Sequence, residues 1–87
     1  MKTYLVECFL PRTRANELAD VAARLSSRQS RGGEAARPAR YLRSTYVPED
    51  EICFHLFEAD SVEAVREASQ GASLVFDRIV ETEENRA

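Results

Sequence analysis

Four short segments of the chain are strand-like. The first three alternate at period two, the spacing that places successive side chains on opposite faces of a β-strand, whereas in the last Phe76 and Val80 fall on one side and Ile79 on the other, so its facing stays open. The four segments span residues 2–10, 40–47, 51–59 and 76–82. In the first and third segments both alternating sets are largely apolar. A strand with two apolar faces is typically covered on both sides, so we predict that these two strands are central in the sheet.

Two intervening segments carry apolar residues at helical spacing instead. Leu18, Val21, Ala22 and Leu25 follow the i, i+3, i+4, i+7 pattern and predict a helix from about residue 14 to about residue 30. A second helix follows residue 60, where Asp60 or Ser61 can accept a hydrogen bond from a free backbone N–H. The glycines at 32–33 and at 71 are expected to end the two helices in the left-handed conformation.

The resulting order is strand, helix, strand, strand, helix, strand. With right-handed crossovers, this order predicts an α+β ferredoxin-like sandwich, in which a four-stranded antiparallel sheet of order 4-1-3-2 carries both helices on one face. A chain of 87 residues is expected to form one domain, residues 1–87. Within it, residues 26–39 predict a flexible helix end and loop, and residues 83–87 a frayed tail.

The alternation also divides the sheet into two faces. We assign to the helix-covered face Val6, Cys8, Leu42, Ile52, Phe54 and Leu56. The opposite, open face then shows Leu5, Glu7, Phe9, Arg43, Cys53, His55 and Phe57. This open face is too apolar for a monomer in water, so we expect a homodimer packed sheet to sheet.

Composition narrows the classes of function. The chain is 44% apolar and 31% charged with a net charge of -3, and residues 1–43 carry a net +5 while residues 44–87 carry a net -8. Overall acidity argues against a nucleic-acid partner, whose phosphates require a basic surface. No apolar run is long enough for a membrane span, no signal peptide is visible, and two cysteines without a repeated spacing are typical of reduced thiols, so we expect a cytoplasmic protein.

One pair of residues carries candidate chemistry. Cys53 and His55 are two apart in the third strand and share a face, where thiolate and imidazole suit a transition metal such as nickel or zinc. Glu7, on the neighbouring strand, is the candidate third ligand or the group that orients the imidazole. Arg43, Phe9 and Phe57 are candidate ligand-contacting or interface residues on the same face. The alternative is a hydrogen-bonded structural histidine beside a Glu7–Arg43 ion pair in the interface.

Two other functions stay open on these residues. A histidine near a carboxylate and a thiol is also compatible with acid–base or nucleophilic catalysis in a small cofactor-free enzyme. However, the sequence has no nucleophile motif, phosphate-binding glycine loop or oxyanion-hole signature. The third alternative is a structural or accessory interaction domain without catalysis.

Five segments together resemble a known family, the short bacterial ferredoxin-like domains of unknown function that include a nickel-binding protein. The segments are residues 4–7, 40–51, 57–59, 62–68 and 76–80. The resemblance covers residues 4–80 except the loop at 26–39, and it implies a ferredoxin-like dimer and, by analogy, nickel binding. It also implies that His55 stands where relatives often carry cysteine. A dimeric enzyme of the antibiotic-monooxygenase-like architecture is the corresponding alternative.

Overall fold

Four antiparallel strands form one sheet, and two helices pack on one of its sides. The computed structural model describes residues 1–32 and 39–83. The strands are β1 (Lys2–Phe9), β2 (Ala39–Val47), β3 (Ile52–Ala59) and β4 (Arg78–Thr82). Their order in the sheet is β2-β3-β1-β4. This order is 4-1-3-2 seen from the other edge, so the predicted ferredoxin-like topology with central β1 and β3 is confirmed.

The helical segments lie close to their predicted positions. A 3-10 segment (Arg12–Glu17) follows β1 and leads into α1 (Leu18–Gly32), and α2 (Val62–Gly71) follows β3. The predicted start of the first helix near residue 14 therefore falls within the 3-10 segment. Residues 26–32 of the predicted helix end and loop belong to α1, while residues 33–38 and 84–87 lie outside the described part of the chain. Within that part, neither helix is long and apolar enough to cross a membrane.

The two ends of α2 are capped differently. At the N-terminus the backbone N–H of Ala64 donates to Ser61 Oγ at 3.3 Å, which settles the predicted choice of cap in favour of Ser61. At the C-terminus the left-handed residue is Ser73, with φ of 60°, and not Gly71 as predicted. Gly71 is still helical, and the chain reverses two residues later.

Backbone hydrogen bonds explain why the reversal falls at Ser73. Its N–H donates to the Gln70 carbonyl, and the next N–H, that of Leu74, donates to the Ser69 carbonyl, both at 2.9 Å. This pair of bonds is the Schellman arrangement, which satisfies carbonyls of the last helical turn. It directs the buried Leu74 back toward the sheet.

The predicted faces of β3 were wrong. In the β1–β3 register Val6 lies opposite His55 and Cys8 lies opposite Cys53, so these four residues share the helix-covered face. Phe57 is also on this face, and it is 1% exposed. Successive residues of a strand point to opposite sides, so a one-residue difference in register moves every side chain to the other face. Ile52, Phe54 and Leu56 therefore lie on the open face, opposite to the prediction.

An irregularity in β2 also changes its expected alternation. The β2–β3 register shifts between Tyr41, which lies opposite Phe57, and Arg43, which lies opposite Leu56. Leu42, which we had assigned to the helix-covered face, falls within this shift and has no partner in the register. One extra residue in an edge strand is typical of a β-bulge. Because of the shift, Ser44 comes to lie opposite His55.

Ser69, on the buried side of α2, allows the energetic cost of a buried polar group to be measured. It is fully buried, and its Oγ has no hydrogen-bond partner among the described residues. A buried hydroxyl without a partner retains its desolvation cost, so Ser69→Ala should raise the free energy of unfolding by about 1 kcal/mol. Urea denaturation measures the change. Ser27→Ala, at an exposed position of α1, controls for helix propensity, and an equal gain in both variants would contradict the burial argument.

Candidate functional site

A cavity of about 410 Å³ lies on the helix-covered side of the sheet. Its walls come from the 3-10 segment, from α1 and from residues 73–77, while β1 and β3 form its floor. Three polar or soft side chains lie at the floor, namely Cys8, Cys53 and His55. Arg24 Nε donates to the Ala72 carbonyl at 3.0 Å and so ties α1 to the segment that follows α2. This volume is in the range of small-ligand pockets.

His55 is held from both sides of its ring. Ser44 Oγ lies 2.6 Å from Nδ1, and Tyr41 Oη lies 2.5 Å from the same Ser44 oxygen. On the other side, Cys53 Sγ lies 3.6 Å from His55 Nε2. These contacts form a continuous chain, Tyr41–Ser44–His55–Cys53, which crosses from β2 to β3. The imidazole plane is therefore fixed, with Nε2 directed at the cysteine sulfur.

Burial sets the protonation states at the floor. The His55 side chain is 2% exposed, and desolvation of the imidazolium lowers its pKa from 6.5 to about 4. Burial also raises the pKa of Cys53 to about 11. The pKa of Cys8 rises to about 12, mainly by burial and further by the negative charges of Cys53, Asp77 and Glu7. At neutral pH the floor therefore carries a neutral imidazole and two thiols.

Glu7 lies on the other side of the sheet, because it neighbours Val6 and Cys8 in β1. Its Oε2 lies 2.6 Å from Arg78 Nε on the adjacent strand β4. The proposed grouping of Glu7 with Cys53 and His55 on one face was therefore wrong. The ion pair expected between Glu7 and Arg43 is formed with Arg78 instead.

The other candidate residues are dispersed. Phe57 is a core residue, with its ring centroid 5.7 Å from that of Tyr41 at an interplanar angle of 59°, so its expected place on the open face was wrong. Arg43 is exposed opposite Leu56, on the open side as predicted. Phe9 ends β1 and is 57% exposed. It also borders the cavity, together with the exposed Val75.

The side chains at the cavity floor have two possible roles. They can bind a ligand through sulfur and nitrogen, or they can form a hydrogen-bonded part of the protein core. Among the described residues, no three His, Cys, Asp or Glu side chains are grouped closely enough to hold a metal ion. Cys53 Sγ and His55 Nε2 nevertheless lie next to each other, 3.6 Å apart. Because burial lowers the pKa of His55 to about 4, the imidazole is neutral over the whole neutral range of pH.

Sequence reasoning missed two contributors to this site. Ser44 and Tyr41 fix the imidazole, yet the alternation of β2 placed them on different faces. No local sequence signal marks the register shift that brings them together. Cys8 was correctly placed on the helix-covered face, but its proximity to Cys53 required the register between β1 and β3.

Comparison with known proteins places the chain in a family. A family described as nickel responsive protein SCO4226-like matches residues 4–82. The chain belongs to this SCO4226-like family. The crystal structure of SCO4226 from Streptomyces coelicolor A3(2) is similar, with a TM-score of 0.61 and 14% identity over 97% of this chain and 99% of that one. At this identity the likeness concerns the fold, and no curated protein matches the chain.

Proposed function

We propose that this SCO4226-like protein is a small homodimeric metal-binding protein that holds a transition-metal ion, nickel or zinc, at Cys53 and His55. The observation that carries the proposal is the 3.6 Å separation between Cys53 Sγ and His55 Nε2. The description of the family as nickel responsive supports the same class of ligand. A cytoplasmic location is part of the proposal, because both cysteines are free and buried thiols suit a reducing compartment.

The separation of the two donor atoms can be compared with metal coordination. Bonds of about 2.3 Å to sulfur and about 2.05 Å to nitrogen at a tetrahedral angle hold those atoms about 3.6 Å apart. At the 90° angle of a square-planar ion the same bonds hold them about 3.1 Å apart. The observed distance of 3.6 Å therefore suits a tetrahedral ion without movement of either side chain. In the metal-free protein the same distance accommodates an S–H···N or N–H···S hydrogen bond.

The surroundings of His55 support the proposed role as a metal ligand. A ligating imidazole usually gives its second ring N–H to an acceptor, which fixes the tautomer and the ring orientation. Ser44 Oγ, 2.6 Å from Nδ1, is placed to accept that hydrogen bond. Nε2 then presents its lone pair toward Cys53. Binding would release the Cys53 proton, because the thiolate is the ligand.

Calorimetric titration with Ni²⁺ and with Zn²⁺ tests this proposal. We expect one of these ions to bind the wild-type protein with a dissociation constant in the micromolar range or below. His55→Ala should weaken this affinity about 100-fold or more, because loss of a residue that only supports a metal ligand typically costs 10- to 100-fold. Glu7→Gln is the matched control, since Glu7 faces the other side of the sheet. Absence of binding by the wild type, or unchanged affinity in folded His55→Ala, would refute the site.

The cavity is the observation that favours a second candidate, a small cofactor-free enzyme. It lies between helices and sheet and contains polar groups, as such an enzyme requires. However, efficient general acid–base catalysis needs a pKa near the working pH, and that of His55 is about 4. The cysteine pKa values of about 11 and about 12 likewise leave little thiolate for nucleophilic attack. These groups suit ligand binding better than catalysis.

The homodimer rests on the corrected open face of the sheet. Its central strands present Leu5, Ile52, Phe54 and Leu56, and Val80 of β4 lies opposite Leu5. Four of these five side chains are only partly buried in the single chain. Water would contact this apolar surface in a monomer, whereas a second copy would cover it. The Arg40–Glu58 ion pair lies at one end of this surface, as expected of a polar border, whereas Glu7 lies within the surface opposite Phe54 and is neutralised there by Arg78.

We predict that Phe54→Arg converts the dimer to a monomer, because a guanidinium at the centre of the interface is costly to desolvate, and the neighbouring Glu7 is already paired with Arg78. Sedimentation equilibrium on both proteins measures the change. Gln70→Arg adds the same charge at an exposed site on α2 and should remain dimeric. A wild-type protein that sediments as a 9.8 kDa monomer would contradict the packing of sheet against sheet.

A further inference from the structure

The lining of the 410 Å³ cavity is mainly apolar where it is buried and charged where it is exposed. Leu10 and Leu74 are 8% and 9% exposed, and the half-buried Leu18 and Val21 add aliphatic surface from α1. The charged side chains that border the cavity are all exposed, and they are Arg14, Glu17, Arg24 and Asp77. Small-ligand pockets typically combine such apolar walls with a few polar groups that orient the ligand.

Two exposed apolar side chains extend the apolar surface at the rim of the cavity. Phe9 is 57% exposed and Val75 is 89% exposed, and both border the cavity. Among the described residues, the third exposed large hydrophobic side chain is that of Met1. Exposed apolar surface beside a cavity is one of the marks of a ligand-binding groove. A ligand that fills the cavity would therefore also remove part of Phe9 and Val75 from water.

The charges at the rim favour an anionic ligand over a cationic one. Glu17 lies 4.0 Å from Arg14, and Asp77 Oδ2 already accepts a hydrogen bond from a backbone N–H at 2.8 Å. Arg24 has a neutral partner instead, since its Nε donates to the Ala72 carbonyl. Among the described residues, no carboxylate lies within ion-pair distance of this guanidinium. Arg24 is therefore the rim charge that an incoming ion can compensate.

The floor of the cavity suits the uncharged part of such a ligand. His55 is neutral at neutral pH, and its two ring nitrogens already contact Ser44 and Cys53. An anionic group beside Cys8 would meet the burial and the neighbouring negative charges that raise the pKa of this thiol to about 12. The anionic end of a ligand is therefore disfavoured at the floor and directed to the rim.

We propose that this cavity binds a small organic acid, with its apolar body between α1 and the sheet and its carboxylate on the guanidinium of Arg24. The volume lies toward the lower end of the range for small-molecule pockets, which limits the acid to a medium-chain or single-ring compound. A guanidinium and a carboxylate form charge-assisted hydrogen bonds that fix the orientation of the ligand. The inference goes beyond the proposed metal binding and does not rest on it.

Calorimetric titration of the full-length, chelator-treated protein with octanoate, phenylpropanoate and the neutral octanol tests this inference. We expect at least one of the two acids to bind the wild type with a dissociation constant in the micromolar range. Arg24→Gln should weaken that binding about fivefold or more and leave the affinity for octanol unchanged, because only the acids use the charge. Arg24→Lys retains the charge and should stay within about twofold of the wild type. Arg66→Gln removes the same charge from an exposed site on α2 and should bind as the wild type does.

Chemical-shift mapping by NMR gives a readout that requires no variant. The acid should shift the signals of Leu10, Val21 and Leu74 and leave that of Ile52, on the open face, unchanged. If neither acid binds, if Arg24→Gln binds the acids as tightly as the wild type, or if the shifts concentrate on the open face, the inference is wrong. None of these results bears on the metal proposal, which depends on different ligands and on His55.

Discussion

Phe57→Ala should lower the free energy of unfolding by about 3–5 kcal/mol, the range typical of removing a large aromatic ring from a packed core. Phe57 is 1% exposed, lies on the helix-covered face and packs against the Tyr41 ring. Urea denaturation with linear extrapolation measures the loss. Phe57→Leu should lose less, because more of the volume is retained, and it provides a measurable variant if the alanine protein does not fold.

Phe54→Ala is the matched control, since it removes the same ring three residues away on the open face of the same strand. In a dilute monomeric solution its loss should be about 1 kcal/mol, because the side chain is only partly buried in the single chain. In a dimer the loss should grow with protein concentration, as binding and folding are linked. A greater loss for Phe54→Ala than for Phe57→Ala under monomeric conditions would reverse the assignment of the two faces.

The order and type of the elements could be predicted from sequence because each depends on local spacing. The stripe Leu18, Val21, Leu25 has a helical period, and the segments around Val6 and Phe54 have a strand period. Ser61 before the second helix carries its own capping chemistry. Six elements in this order leave few compact topologies, so the sheet order followed as well.

The facing of β3 could not be obtained in the same way. In most half-buried strands the polar set identifies the solvent side, but in β3 both Cys53–His55–Phe57 and Ile52–Phe54–Leu56 are largely apolar. The outcome depends on which residue of β1 lies opposite which residue of β3, a long-range property. The fully buried position of His55 is therefore visible only after the strands are paired.

The candidate site was accordingly predicted in part. Cys53 and His55 share a face in any strand, so their proximity follows from spacing alone. Glu7 was assigned to them through the wrong register, and Cys8 is the residue that the true register places beside Cys53. The contact of Ser44 with His55 depends on the irregularity in β2, which no residue pattern indicates.

Acidification should destabilise the protein through His55. The folded-state pKa is about 4, below the 6.5 of an unperturbed imidazole, so the unfolded chain binds the proton more tightly. The stabilisation from the neutral buried ring is fully present above pH 6.5 and is lost as the pH falls from 6.5 to about 4. A difference of about 2.5 pKa units corresponds to about 3 kcal/mol over this window.

Urea denaturation at half-unit steps between pH 4 and pH 8 measures this dependence, with metal removed by chelation so that the free imidazole is observed. His55→Gln is the control, because glutamine does not titrate. Subtracting its curve from the wild-type curve removes the contribution of the carboxylates. The wild-type curve should fall more steeply than the His55→Gln curve below pH 6.5, and the two should run parallel above it. Parallel curves throughout would mean that the folded and unfolded states bind the His55 proton equally tightly, which would contradict the effect expected from its burial.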